Sequence, residues 1–352
     1  MTVQPQTSET HAPQTQSPQA QASPARPFPE HAIDWGPVAG SVVWMPPEHR
    51  RPSVDEAGAR KMLRCTPESF RALRALGLEG EPTPAGPLFD SNDLRNAALY
   101  SLSGRTEVEM AMRPILAFLK GSDQEMFAER RWTFEMVATA PDGSTRESCL
   151  IHPPTPEAFG GETTSPAAGE TPPDRVGEPV SVPFGAVLRG SMVTRGAPDP
   201  VVDPFIRALT EELLASGVRW QYLSGGLKQD AHAAYARGVG NCDTMSTVLA
   251  DRLLAAGYRA QVFRGWIVGI TEVPHSWIEV VDADGRTKVV DPSLLVLASH
   301  SGLGSPDFVR KAFGAPLSRV APTRCPLTES IGVDQDGVPC EVRFSCRPGS
   351  GR

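Results

Sequence analysis

Residues 238–243 read Gly238-Val239-Gly240-Asn241-Cys242-Asp243. Behind them Met245, Val248, Leu249, Leu253 and Ala256 recur at three- and four-residue spacing before Gly257. That spacing predicts an amphipathic helix over 242–256, with Gly257 as its stop. Cys242 therefore opens a helix, where its thiol faces N–H groups without an intrahelical acceptor and the positive end of the macrodipole. Both favour thiolate over thiol and make the sulfur a candidate nucleophile. The preceding glycines permit close backbone approach, and the Cys242 N–H is a natural donor to an oxyanion. Taken alone, a cysteine at this place also reads as a buried structural thiol.

Two further stretches change its weight. Pro274-His275-Ser276-Trp277-Ile278-Glu279-Val280 starts a predicted strand, and Lys288-Val289-Val290-Asp291-Pro292 ends another, with Asp284-Gly285 as a hairpin turn between them. Pairing through that turn brings the two strand ends together. His275 is then placed to take the Cys242 proton or form an ion pair with its thiolate, and Asp291 to hold the imidazole tautomer. Short apolar stretches at 260–262 and 266–270 complete a helix-then-strands pattern, which is α+β. Trp266 and Trp277 read as core.

The Gly-Asn-Cys helix start, His-Ser-Trp-Ile-Glu on a strand and Val-Val-Asp-Pro-Ser after a hairpin together resemble the transglutaminase-like Cys-His-Asp superfamily, over roughly residues 218–297. The resemblance implies a transglutaminase/papain-like core in which the helix carrying the cysteine packs on an antiparallel sheet carrying the histidine and aspartate. It implies Cys242 as nucleophile, His275 as base and Asp291 as orienting acid, with no metal or organic cofactor. Within the superfamily the chain is most similar to bacterial protein glutaminases. The cues are the helix end Leu253-Leu254-Ala255-Ala256-Gly257-Tyr258, the Asp291-Pro292-Ser293-Leu294 segment, and a helix from Ser305-Pro306 through Val309 and Phe313. The implied activity is deamidation of glutamine side chains in a protein or peptide substrate through a thioester. Amine transfer or amide synthesis, peptide hydrolysis, and a binding module without turnover stay open as alternatives. Trp220 and Gln221 are candidates for a second oxyanion donor or for lining the acyl pocket, or else core and surface residues. Asn241 either aids the oxyanion or shapes the turn before the helix.

Around this centre the chain divides by composition. Residues 1–32, rich in Gln and Pro, cannot bury enough apolar surface to order and are expected to be a disordered tail. Residues 33–152 read as a smaller α+β region. Thr66-Pro67 starts a helix presenting Phe70, Leu73 and Leu76; a second helix from Ser91 or Asn92 presents Leu94, Ala98 and Leu102. Strand-like runs at 132–139 and 147–151 flank Asp142-Gly143, which reads as a hairpin turn. Residues 153–178 read as a Pro/Gly-rich linker, 179–322 as the catalytic domain, in which Asp203-Pro204 opens a helix, and 323–352 as a cysteine-containing C-terminal tail. The net charge of −7 and the lack of a basic patch speak against a nucleic-acid partner, and no apolar run is long enough to span a bilayer. The N-terminus carries no ordinary secretory signal, which points to the cytoplasm or to export by another route. Six cysteines lie scattered, and Cys325, Cys340 and Cys346 are either free thiols or, in an oxidising compartment, partners in a disulfide. His232 and His300 have no evident partner and read as surface residues.

Overall fold

Short polar side chains decide where the helices begin in the computed structural model of the chain, which describes residues 29–141, 146–167, 178–300 and 304–349. Strand β1 (Pro52–Asp55) runs into α1 (Glu56–Leu63), capped by Asp55. Thr66 caps α2 (Pro67–Ala75), as expected, and Phe70 and Leu73 go into the core. Strand β2 (Leu88–Asp90) pairs with β1 and passes into α3 (Ser91–Tyr100), where Asp90 accepts from the N–H groups of Asn92 and Asp93. A complete Thr106–Glu109 capping box starts α4 (Glu107–Phe118), and α5 (Asp123–Phe127) follows. Leu76 and Leu102, expected to extend the apolar faces of α2 and α3, lie exposed just beyond those helices, because the chain turns away before reaching them.

Next come β3 (Arg130–Thr139), β4 (Ser148–Ile151), β5 (Glu162–Ala167), β6 (Val180–Pro183) and β7 (Val187–Thr194). Asp203 caps α6 (Pro204–Ala215), and β8 (Arg219–Trp220), α7 (Gly225–Gln229), α8 (Ala231–Ala236) and β9 (Val239–Gly240) lead to α9 (Cys242–Ala255). The chain ends with β10 (Ala260–Ile267), β11 (Pro274–Val281), β12 (Thr287–Val290), α10 (Pro292–His300), α11 (Pro306–Ala312), β13 (Val320–Pro326), β14 (Gly332–Asp334) and β15 (Glu341–Pro348). The fold is mixed α+β, with every larger sheet antiparallel: β12-β11-β10-β13, β15-β3-β7-β5 and β14-β4-β6.

Strand β10 joins two cores through its alternation. Ile267 faces a core shared with α9, α10, α6 and α4, while Trp266 faces the core inside the other two sheets. There Trp266 stacks on Phe344 at 4.8 Å, and Phe344 on Phe134 at 6.1 Å. The sheet that carries His275 thus has helices on one face and β-structure on the other. Trp266 and Trp277 are each 1% exposed, as the sequence suggests.

Several expectations are corrected. The stretches at 260–262 and 266–270 are one strand as far as Ile267, continuous through Gly265, where a Cβ would lie 2.3 Å from the Ala321 carbonyl oxygen. Strands β3 and β4 do not form a hairpin: β3 pairs with β7 and β15, and β4 with β6 and β14. The Asp142-Gly143 turn itself lies outside the described residues, as does most of the expected 1–32 tail. Of the segment expected as a linker, Pro156–Phe159 forms a 3-10 helix and β5 joins a sheet beside β7, while 168–177 lie outside the described residues. Residues 323–352, expected as a tail, contribute β14, β15 and the end of β13, so strands from both sides of the expected linker interleave in the same sheets. All six cysteines are free thiols, and the Cys340 thiol donates to the Val338 carbonyl at 3.5 Å. His232 is exposed and meets Asp251 at 2.9 Å.

Candidate active site

Asn241 caps α9. Its Oδ1 accepts from the Thr244 N–H at 3.0 Å, and the Thr244 hydroxyl accepts from the Asn241 N–H at 2.7 Å. This reciprocal box fixes the first turn and leaves half-buried Cys242 at its first position. Among the described residues nothing accepts a hydrogen bond from the Cys242 or Asp243 N–H, so both remain available at the positive end of a 14-residue helix. The helix is buried on more than one side, with Thr244, Ser246 and Ala250 enclosed as well as the expected Met245, Val248, Leu249 and Leu253, while Ala256, also expected on that face, is exposed just past the helix end.

The hairpin forms as the sequence predicts. Ile278 lies opposite Val290 and Glu279 opposite Val289 across β11 and β12. Lys288, 1% exposed, holds its base through Asp199 at 2.5 Å and Asp284 at 2.8 Å, while Asp282 accepts from the Val202 and Asp203 N–H groups. That anchoring sets Asp291 one residue past β12, where its Oδ2 lies 2.5 Å from His275 Nε2 and its Oδ1 accepts from the Leu294 N–H at 2.9 Å. The second bond exists because the chain turns into α10 right after Asp291, a helix the apolar run Leu294–Leu297 hides from an amphipathicity reading.

His275 and Asp291 are buried, at 4% and 5% exposure. The carboxylate at Nε2 places a proton there and leaves Nδ1 as the ring nitrogen without that partner, in a cleft that Cys242 also lines. Burial works against charge on the ring, but the Asp291 carboxylate and the Cys242 sulfur outweigh it and push the His275 pKa up to about 10. Asp243 sits beside the sulfur, with Cys242 Sγ 3.7 Å from its Oδ1. Burial opposes its charge too, yet the Ser276 hydroxyl at 2.6 Å, with Lys228 and Arg264, holds its carboxyl below the usual range.

Cys242 and His275 open onto a cleft of about 570 Å³. It is lined by Ile267, Leu294 and Leu297 and, from α3 and α4, by Asn92, Arg95, Met112 and Ile115. Trp220 lines the cleft, and its indole N–H has no hydrogen-bond partner among the described residues. Gln221 lines the cleft as well, but its amide is already engaged. Fully buried, its carboxamide, in the orientation that satisfies its hydrogen bonds, donates to the Val43 carbonyl and accepts from the Val43 N–H, both at 3.1 Å. That amide is a strut, occupied by a partly buried backbone whose N–H and carbonyl lose their partner if it leaves.

The strut belongs to a wider seam that the sequence reading missed. Asn96 bonds both the N–H and the carbonyl of Tyr222, the Tyr100 hydroxyl donates to the Trp220 carbonyl, and Ser224 donates to Asp90. Residues 220–224, which run beside Cys242 through the β8–β9 pairing, are thus held by the region before 101. The partners lie more than a hundred residues apart, and no local pattern announces them.

No family model matches the chain, and no curated protein matches it. A solved structure described as "a Putative Cysteine Protease from Cytophaga hutchinsonii" aligns over 64% of this chain and 93% of that one, at 9% identity and a TM-score of 0.34. At that score the likeness carries no argument about fold or chemistry.

Proposed function

We propose that the chain is a cysteine-dependent amidohydrolase that deamidates glutamine side chains in proteins or peptides, with Cys242, His275 and Asp291 as its triad. One observation supports this above the others. A thiol at the start of α9 shares a cleft with an imidazole whose far nitrogen is held at 2.5 Å by a buried carboxylate. Glutamine as donor rests on the resemblance to protein glutaminases, and the apolar cleft suits its methylene stem.

In the reaction the Cys242 thiolate attacks the carboxamide carbon, and the oxyanion is met by the free Cys242 N–H and by the Trp220 indole. The C–N bond breaks as His275 Nδ1 gives its proton to the leaving nitrogen, releasing ammonia and leaving a thioester. His275 then takes a proton from water, the resulting hydroxide adds to the thioester, and the C–S bond breaks to give glutamate and the thiolate. Asp291 stabilises the imidazolium throughout without itself taking the proton.

The test is ammonia release from casein by wild type and Cys242→Ala, with and without a labelled primary amine. The proposal expects ammonia without the amine, a matching gain of about one dalton per converted site, and loss of both in the variant. Ammonia that persists in Cys242→Ala sinks the proposal. Ammonia that appears only with the amine, which then ends on the protein, replaces hydrolysis by amine transfer.

A further inference from the structure

The charged side chains that line the apolar cleft are all basic, in an acidic protein. The chain has 41 Asp and Glu against 34 Lys and Arg, yet no carboxylate is among the residues lining the cleft, which include Arg95, Lys228 and His275. Two of these cations already have partners: His275 is paired to Asp291, and Lys228 lies 3.5 Å from Asp243. Arg95 does not. It is exposed on α3 and makes no hydrogen bond or ion pair with any described residue; its guanidinium lies over the Tyr222 ring, 5.6 Å from the centroid. The Tyr222 backbone is held by the two bonds from Asn96 and its ring packs edge-on against Trp220 at 5.0 Å, so the guanidinium rests on a supported ring with its donor fork free. Met112 and Ile115 line the same cleft.

We infer that Arg95 is a specificity determinant that recognises a carboxylate on the substrate, so that the preferred acyl donor is an acidic polypeptide segment with an apolar residue and a carboxylate flanking the reactive amide. The inference deepens the proposed function and rests on Cys242 being the reactive thiol of this cleft. A planar fork facing solvent in a cleft lined by apolar residues matches a carboxylate next to an aliphatic side chain. A basic segment meets the unpaired like charge of Arg95, while the carboxylates nearby, Asp243 and Asp291, are already engaged with Lys228 and His275. An exposed pair of this kind is worth up to about 1 kcal/mol, which corresponds to a preference of roughly two- to fivefold at low salt.

Two readouts on the full-length chain test this without requiring turnover. The first is the rate of Cys242 alkylation by anionic iodoacetate relative to neutral iodoacetamide, followed by peptide mass mapping in wild type, Arg95→Gln and Arg95→Lys. The ratio is expected to fall roughly two- to fivefold in Arg95→Gln, to recover at least in part in Arg95→Lys, and to lose its salt dependence only in the former. A ratio that Arg95→Gln leaves unmoved overturns the inference. The second is protection of Cys242 from iodoacetamide by blocked peptides containing leucine–glutamine–glutamate or leucine–glutamine–lysine, with an unblocked C-terminus on a third, glutamate-free peptide. The acidic blocked peptide is expected to protect wild type and to lose that advantage in Arg95→Gln. Equal protection by the first two peptides overturns the substrate class. Protection by the third alone overturns the side-chain carboxylate in favour of a terminal one. Failure of the proposed function shows itself differently, as charge selectivity at Cys242 with no ammonia from any peptide.

Discussion

Replacing Asp291 by asparagine tests the electrostatics of the site while nearly preserving its shape. An asparagine keeps an oxygen for the Leu294 N–H, so the start of α10 survives, but the charge 2.5 Å from His275 Nε2 is gone. In wild type the His275 pKa stands at about 10 against an ordinary 6.5. At about 1.36 kcal/mol per unit, that difference is on the order of 5 kcal/mol in favour of the imidazolium. Without the carboxylate, burial acts against the charged ring with only the Cys242 sulfur opposing it, and the pKa should fall well below 10. Because the folded value lies above the unfolded one, the stability that His275 contributes is fully present below about pH 6.5 and is lost as pH rises toward 10. Asp291→Asn should therefore flatten the decline in unfolding free energy across that window. The turnover proposed above should fall on the order of 10³-fold, since the amide also favours the wrong tautomer. Labelled-histidine NMR gives the pKa directly, and urea melts at several pH values give the slope. A His275 that still titrates near 10 in the variant, or a slope that does not change, would refute the reasoning.

Three further outcomes are expected. Gln221→Ala should lower stability by about 2–4 kcal/mol, because it leaves the partly buried Val43 N–H and carbonyl without their partner; an unchanged denaturant midpoint would rule out the strut. A chain starting at Val180 should lack a cooperative thermal transition, since β6 and β7 lose β3, β4 and β5, and residues 220–224 lose Asn96 and Tyr100; cooperative melting with wild-type activity would show that the earlier region is dispensable. Burial pushes the Asp93 pKa up to about 7, against the N–H of Met45 and the more distant Arg50, so the folded state favours the neutral acid and loses stability as pH rises from about 4 to 7. Asp93→Asn keeps the acceptor for Met45 and should gain up to about 4 kcal/mol at pH 8 while removing that slope, as measured by urea melts at pH 4 and pH 8.

Local chemistry was legible wherever one segment carried its own reason. The Cys242 helix, its glycine stop, the Asp284-Gly285 hairpin and the Thr66 and Asp203 caps follow from spacing and from capping or turn residues within a few positions. So did the likelihood of His275 and Asp291 meeting, because a hairpin register is a local quantity. The helix α10 was not legible: a run buried on all sides shows no period.

What the sequence by itself determined is the set of groups and their local frames: a thiol at a helix start, and an imidazole and a carboxylate on neighbouring strands. Tertiary structure alone decided which strands share a sheet, since antiparallel pairing between β4 and β14 or β3 and β15 joins segments separated by long stretches of chain. It also decided that Gln221 is a strut rather than an oxyanion donor, and that α3 and α4 line the cleft onto which Cys242 opens. These contacts form between surfaces brought together by burial of two large cores, and the free energy that selects them is spread over many residues rather than written in any one segment.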